Sequence, residues 1–473
     1  MGILILLDLS YSFYQYNNAP LQGDLSEVVY PFPSKGYYQV LKDPFALHVI
    51  TENKIYPNPN RFFAHYTASL YFKNVPFILQ KVVKPIDSVY LSAAIAKLLT
   101  HLLLLLLIAR FVSSTWRFWE RDFLLTMLLV TPLFQAAGYN RFMGIIDQSV
   151  TYVFFYALPL AFFLIFLLPI YNYYYEGVKG KTTVFIISVL FSLCPFLVLN
   201  GPLITGIVLI GFPMIVGVQF FKMKQENASE LSFWQQVILF FKRDKIFILL
   251  LGVFCLGSLY SLYVGKNNSL NFGETISIFE RYMRIPEGLY FLITTKIGFP
   301  ILFGIIALNC IVLKKYFHNS QVKKMFHLFK WIGVFSILYI LLLPLGGFRS
   351  YRANIIRYDT FLPITFALFF MFAATSVYLL NQKFRNRIGY VFLLGLILSI
   401  FSLSDRDPLI GNKCEYAMLS AMSKSKEDVF KIESACKVMC WEPYKVPSES
   451  LQNATLLHYW GITDKIRYYY NVP

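Results

Sequence analysis

The chain has 473 residues, of which 57% are hydrophobic, 18% aromatic and only 15% charged, a balance outside the range of soluble globular domains. A formal charge of +17 would suit nucleic acid if it formed one face, but the lysines and arginines are spread over loops between apolar stretches, which argues against a nucleic-acid partner. The composition therefore describes a polytopic helical membrane protein.

Met1 to Tyr16 is apolar but short for a full crossing, and it contains Asp8. It reads either as the end of a first helix that begins before this chain or as a helix starting in the interface, and no small-x-small cleavage pattern follows it. Further spans, each long enough to cross a hydrocarbon core of roughly 30 Å, are expected near 88–112, 122–139, 148–171, 182–199, 202–221, 246–265, 288–313, 330–347, 359–380 and 389–403. The expected fold is an all-α polytopic membrane protein of about eleven transmembrane helices. It divides into a membrane domain, 1–403, and a small tail, 404–473.

Between the first two spans lies a polar, aromatic-rich loop, 17–87, opening with Gly23-Asp24-Leu25-Ser26-Glu27. Long connections are more often functional than structural. After turn signals at Asn17-Asn18, Pro31, Pro33 and Asn58-Pro59, Phe62, Phe63, Tyr66, Leu70, Tyr71 and Phe72 give 61–84 the spacing of a helix lying along a membrane surface. A second amphipathic stretch, 230–245, reads as an interfacial helix on the opposite side.

Basic residues alternate in density from loop to loop. Arg110, Arg117 and Arg121, Lys179 and Lys181, Lys222, Lys224, Lys242, Arg243 and Lys245, Lys314, Lys315, Lys323, Lys324 and Lys330, and Lys383, Arg385 and Arg387 fall in loops of one parity. The positive-inside rule makes that side cytoplasmic, with the amino terminus inside and both loop 17–87 and the tail outside. Of the six cysteines, Cys194, Cys255 and Cys310 fall in spans as packing residues. Cys414, Cys436 and Cys440 fall in the tail, where a disulfide is permitted but its pairing is open. Cys436 and Cys440 lack the histidine pair that a zinc site of that spacing would bring.

Three outward clusters carry groups capable of chemistry. The first is Asp24 with Glu27, followed by Asp43 and Glu52; the second is 139–147, ending in Asp147; the third is 346–359, with Arg349, Arg352 and Arg357. A guanidinium forks onto phosphate oxygens and keeps its charge near a bilayer, so these arginines read as phosphate ligands, or else as partners of Asp359, Glu274 or Glu280. A carboxylate at the water–lipid boundary, such as Asp24 or Asp147, can serve as general base or share a divalent metal, while the plainer role of Asp24 is to cap a turn. Glu280, Arg281, Arg284 and Glu287 read as solvated faces of a short helix, and His48 and His65 as satisfied surface or interface residues.

This arrangement resembles the GT-C superfamily of polyprenyl-phosphate-sugar-dependent glycosyltransferases. In those proteins a long first outer loop with amphipathic surface helices begins with a catalytic aspartate, a second acidic residue comes from the outer loop between spans three and four, and many members end in an extracytoplasmic tail. The matching positions are Asp24 and Asp147, with Glu27 near the first and not adjacent to it. The chain has no Trp-Trp-Asp signature, which sets it apart from oligosaccharyltransferases acting on asparagine.

The resemblance implies an inverting transferase at the outer face of a bacterial plasma membrane. Its donor would be a polyprenyl-phosphate-linked sugar and its acceptor a glycan or glycolipid, both among membrane lipids. Asp24, Asp147 and Glu27 would be the catalytic carboxylates, and Arg349, Arg352 and Arg357 would hold the donor phosphate. A divalent metal ion on Asp24 and Asp147 is allowed and not required. The competing functions are a flippase or transporter, a polysaccharide polymerase, and a non-catalytic scaffold. Transporters favour repeats and mid-span charges, of which Lys97 and Lys296 are the candidates here.

Overall fold

The computed structural model describes residues 1–34, 36–134, 144–178, 184–226, 232–272, 276–348, 354–404 and 411–472. Helix α1 (Gly2–Asn17) leads into three short helices, α2 (Leu25–Val29), α3 (Gly36–Lys42) and α4 (Leu47–Thr51), and then into α5 (Phe62–Leu79). The membrane-type helices follow as α6 (Pro85–Ser113), α7 (Arg121–Val130), α8 (Val150–Glu176), α9 (Val184–Val198), α10 (Pro202–Gln225) and α11 (Phe233–Gly265). After α12 (Ile278–Thr294) come α13 (Gly298–Tyr316), α14 (Ser320–Gly346), α15 (Tyr358–Asn381) and α16 (Arg387–Leu403).

Seven of these, α6, α8, α10, α11, α13, α14 and α15, are long and apolar enough to cross a membrane, and α9 and α16 are shorter apolar helices. An apolar chain in lipid must satisfy its own backbone, and a helix does so within one segment. The bundle is most buried along α6, α8 and α15 and least along α14, so the first three form its centre.

Three boundaries differ from the sequence reading. The stretch expected at 288–313 is two helices, because Glu280, Arg281, Arg284 and Glu287 make α12 strongly amphipathic. A capping box between Ser277 and Glu280 starts α12, which ends before Lys296. The amphipathic segment 230–245 is not separate from the next span. Both belong to α11, which starts on a Ser232–Gln235 capping box and bends at Asp244, where φ is −117° and ψ 24°. The span expected at 122–139 leaves α-helical geometry at Thr131-Pro132, since proline at the start of the next turn cannot continue the hydrogen-bond ladder.

Helix α5 shows the expected surface character on one stripe only. Tyr66, Leu70, Phe77 and Ile78 are exposed, whereas Ala64, His65, Ala68 and Phe72 are buried against the rest of the protein. The tail adds a small sheet to the all-α fold. Helices α17 (Lys413–Lys424) and α18 (Leu451–Tyr459) flank a parallel two-stranded sheet of β1 (Val429–Ile432) and β2 (Tyr468–Asn471). Cys414 is bonded to Cys436, leaving Cys440 free and buried, which resolves the open pairing.

The tail docks on loop 17–87. Fully buried Trp460 donates its indole N–H to the Phe72 carbonyl at 3.0 Å, and Gln80 donates to the Trp460 carbonyl at 2.8 Å. Buried Glu415 accepts from the Leu21 amide and the Tyr90 hydroxyl, both at 2.7 Å, and from the Met439 amide at 2.7 Å. One carboxylate thus ties the tail, the loop and α6 together. Asn453, the first residue of a glycosylation-type triplet, is buried and donates to the Met439 carbonyl at 2.7 Å, so it presents no acceptor amide.

Candidate functional site

The start of α8 organises the site. Residues 153–157 form a π-turn, a widened segment that often marks functional positions, and Tyr152 lies immediately before it. The Tyr152 ring is 6.1 Å from Trp441, 6.3 Å from Tyr358 and 5.8 Å from Tyr156, centroid to centroid. Rings from the tail, from α15 and from α8 itself therefore meet around one side chain.

Two carboxylates reach this aromatic group from separate loops. The Trp441 indole N–H donates to Asp24 Oδ1 at 2.7 Å. Asp24 stands at the amino-terminal cap of α2 without a side-chain capping bond to that helix. Gly23 makes the approach possible: a Cβ there would lie 2.5 Å from Trp441 Cδ1 and 2.8 Å from its backbone nitrogen. On the other side, Asp147 Oδ1 accepts the Ser149 amide at 2.8 Å and shares a hydrogen bond with Tyr358.

Asp147 keeps some exposure but sits deep among protein atoms. That burial raises its carboxyl to about 6, against the opposing pull of the Ser149 amide, Lys97 and Tyr358, while Asp359 pushes it further up. A base titrating there is well matched to neutral conditions. Lys97, fully buried in α6, donates to the Gln148 carbonyl and lies 5.8 Å from the Tyr16 ring centre. The mid-span lysine is thus aimed at the loop that carries Asp147.

The other expected site residues fare differently. Arg349 and Arg352 lie outside the described residues. Arg357 forks onto Asp359 at 3.0 and 3.2 Å and donates to the Asn354 carbonyl at 3.3 Å, so the pairing alternative is the one observed for it. Glu27 occupies the first turn of α2, within electrostatic reach of Tyr444 in the tail. Asp43 is structural: it accepts the Leu47 and His48 amides and the Tyr56 hydroxyl, and the His48 ring lies against it at 3.1 Å. Among the described residues no group of three or more His, Cys, Asp or Glu side chains is gathered as a metal site.

Tyr152, Tyr358 and Trp441 were not singled out from sequence. Each is one aromatic residue in a chain holding 33 tyrosines and 6 tryptophans, so nothing local marks it. Lys97 did carry a signal, as a charge in mid-span. Two carboxylates flanking flat aromatic faces suit a sugar ring, whose C–H faces pack on aromatic surfaces while its hydroxyls need hydrogen-bond acceptors. No family model matches the chain, and no curated protein or solved structure is significantly similar to it.

Proposed function

We propose that the protein is an inverting membrane glycosyltransferase that moves a sugar from a polyprenyl-phosphate donor to a glycan or glycolipid acceptor. The observation that carries this reading is the meeting of Asp24 and Asp147, from two distant loops, around Trp441, Tyr152 and Tyr358. In the proposed reaction the acceptor oxygen attacks the anomeric carbon, the bond from that carbon to the phosphate breaks, and its electron pair leaves with the polyprenyl phosphate. Asp24 takes the acceptor proton, and Asp147, hydrogen-bonded to Tyr358, accepts from a sugar hydroxyl and holds the ring in place. Phosphate is a capable leaving group, so a covalent enzyme intermediate is unnecessary.

The reading includes an eleven-span topology, the seven long helices together with the shorter α1, α7, α9 and α16, alternating direction apart from the surface helices and α12. Loop 17–87, Asp147, the 346–357 loop and the tail then share the outer face of a bacterial plasma membrane. The isolated bridge between Tyr56 and Asn268 and the bond from the Phe63 amide to the Leu199 carbonyl join loops of that one parity, which supports the assignment.

The test is transfer of label from a panel of polyprenyl-phosphate sugars by the purified protein, beside an Asp24→Asn variant. Turnover that disappears in the variant supports both the reaction and its base. Absence of turnover with every donor, together with saturable binding of polyprenyl phosphate, would move the assignment to a flippase or scaffold.

A further inference from the structure

Arg61 stands at the head of α5, 7% exposed, and among the described residues no carboxylate pairs with it. Its guanidinium lies 5.4 Å from the Phe155 ring centre and 5.3 Å from that of Tyr156, and it donates to the Tyr156 hydroxyl at 3.3 Å. One helical turn on, His65 is 1% exposed, and neither ring nitrogen has a hydrogen-bond partner. A buried charge without a counter-ion and a buried imidazole without a partner each oppose folding. Together at one place, they offer a positive charge and a hydrogen-bonding ring that suit an anion.

The neighbouring backbone packs closely on Arg61 and adds positive potential. The backbone between α9 and α10 passes Arg61 at Gly201, where φ is +109° and a Cβ would lie 2.8 Å from Arg61 Nε. Only glycine meets both conditions at that position. Helix α10 begins at the next residue, so its amino-terminal amides add positive potential beside the guanidinium. Tyr156 is one turn along α8 from Tyr152, which places this cation beside the aromatic group holding Asp24 and Asp147.

We propose that Arg61, with His65, Tyr156 and the start of α10, binds the phosphate group of a lipid. The phosphate would accept two guanidinium donors and one imidazole N–H, and the neutral histidine suits this because burial, reinforced by Arg61, holds its ring down to about 3. Identifying that lipid as the sugar donor rests on the proposed function; the phosphate site itself does not.

Binding of a short-chain polyprenyl phosphate to the detergent-purified protein tests this, with polyprenol, inorganic phosphate and phosphatidylglycerol as competitors. Arg61→Gln is expected to weaken polyprenyl phosphate binding by about tenfold to a hundredfold. Polyprenol binding should be the same in both proteins. The melting temperature without ligand should hold or rise in Arg61→Gln, because an uncompensated buried charge has been removed. Gly201→Ala should weaken binding with Arg61 still present. Competition by inorganic phosphate and polyprenyl phosphate, with little by phosphatidylglycerol, assigns the site to the donor, whereas equal competition by phosphatidylglycerol assigns it to bulk lipid. Unchanged affinity in Arg61→Gln, or a fall in its unliganded melting temperature like that of a broken ion pair, overturns the proposal. Phosphate binding that depends on Arg61 without any sugar transfer sinks the enzyme reading alone, and transfer with unchanged KM in Arg61→Gln sinks the phosphate site alone.

Discussion

Arg61 and Arg110 are buried to nearly the same degree, 7% and 6% exposed, in opposite environments. Arg110, near the end of α6, donates to both Glu176 oxygens at 3.0 and 3.2 Å and to Asn172 at 2.9 Å. Its neighbours are built the same way: Arg121 and Asp122 share Asn381, and Asp244 takes both Arg243 and the Tyr173 hydroxyl. At the end of the bundle that holds the tail, Arg61 faces tyrosine and phenylalanine, Lys97 reaches a backbone carbonyl, and Asp147 has an amide and a phenol. A network that closes on itself holds helices together. At Arg61 the charge is met by two aromatic rings and a phenol where Arg110 has a carboxylate.

The contrast is broken most severely at the two carboxylates. Asp24→Asn and Asp147→Asn are expected to reduce sugar transfer by about 10²–10⁴-fold while leaving insertion and melting intact. In the parent protein, transfer should rise as pH climbs through about 6, where Asp147 loses its proton. Asp147→Asn should abolish that limb of the profile. Full activity in both variants would show that this end of the bundle is merely polar.

The converse experiment is Glu176→Gln. Removing one partner of a buried pair strands Arg110, and about 3–5 kcal/mol of stability should go with it. Transfer per folded molecule should not change. A variant that melts normally but loses activity would place function at both ends.

The difference between the two ends was only partly legible in the sequence. Apolar run length gave the helices, since each crossing must satisfy its own backbone, and the amphipathic spacing of 61–84 marked α5. Asp24 and Asp147 were visible as acids at helix boundaries. Arg357 was not resolved, because its partner Asp359 is also its near neighbour and spacing alone could not choose between a pair and a ligand. Arg61 and Trp441 were beyond reach for another reason. Arg61 matters through Tyr156 and Gly201, and Trp441 through Gly23 and Asp24, contacts that cross hundreds of residues in the latter case and have no local signature.

Gly23 sharpens the same point at smaller scale. Gly23→Ala must push the Trp441 backbone away, since the new Cβ would meet its nitrogen at 2.8 Å, and such overpacking costs about 1–3 kcal/mol. The expected result is a modest fall in melting temperature with a disproportionate loss of transfer, because the Trp441–Asp24 bond is broken. If transfer tracked folded protein only, Trp441 would be a docking residue and no part of the site.

The smallest expected effect concerns how the tail is held over that site. Burial raises Glu415 from 4.5 to about 7, against the three donors that would favour its ionised form. The folded protein therefore keeps a proton that the unfolded chain releases near 4.5. The stabilising contribution is complete below about 4.5 and is lost as pH rises through about 7. Tail docking should loosen over that window, read as faster amide exchange in α17 and a shift in melting of a few degrees, at about 2–4 °C per kcal/mol. Glu415→Gln removes the titration and should flatten the pH dependence. It should also lower stability at every pH, because an amide offers only one oxygen to the Leu21, Met439 and Tyr90 donors. A pH profile that kept its slope in Glu415→Gln would assign the dependence to another group and leave Glu415 as a plain hydrogen-bond acceptor.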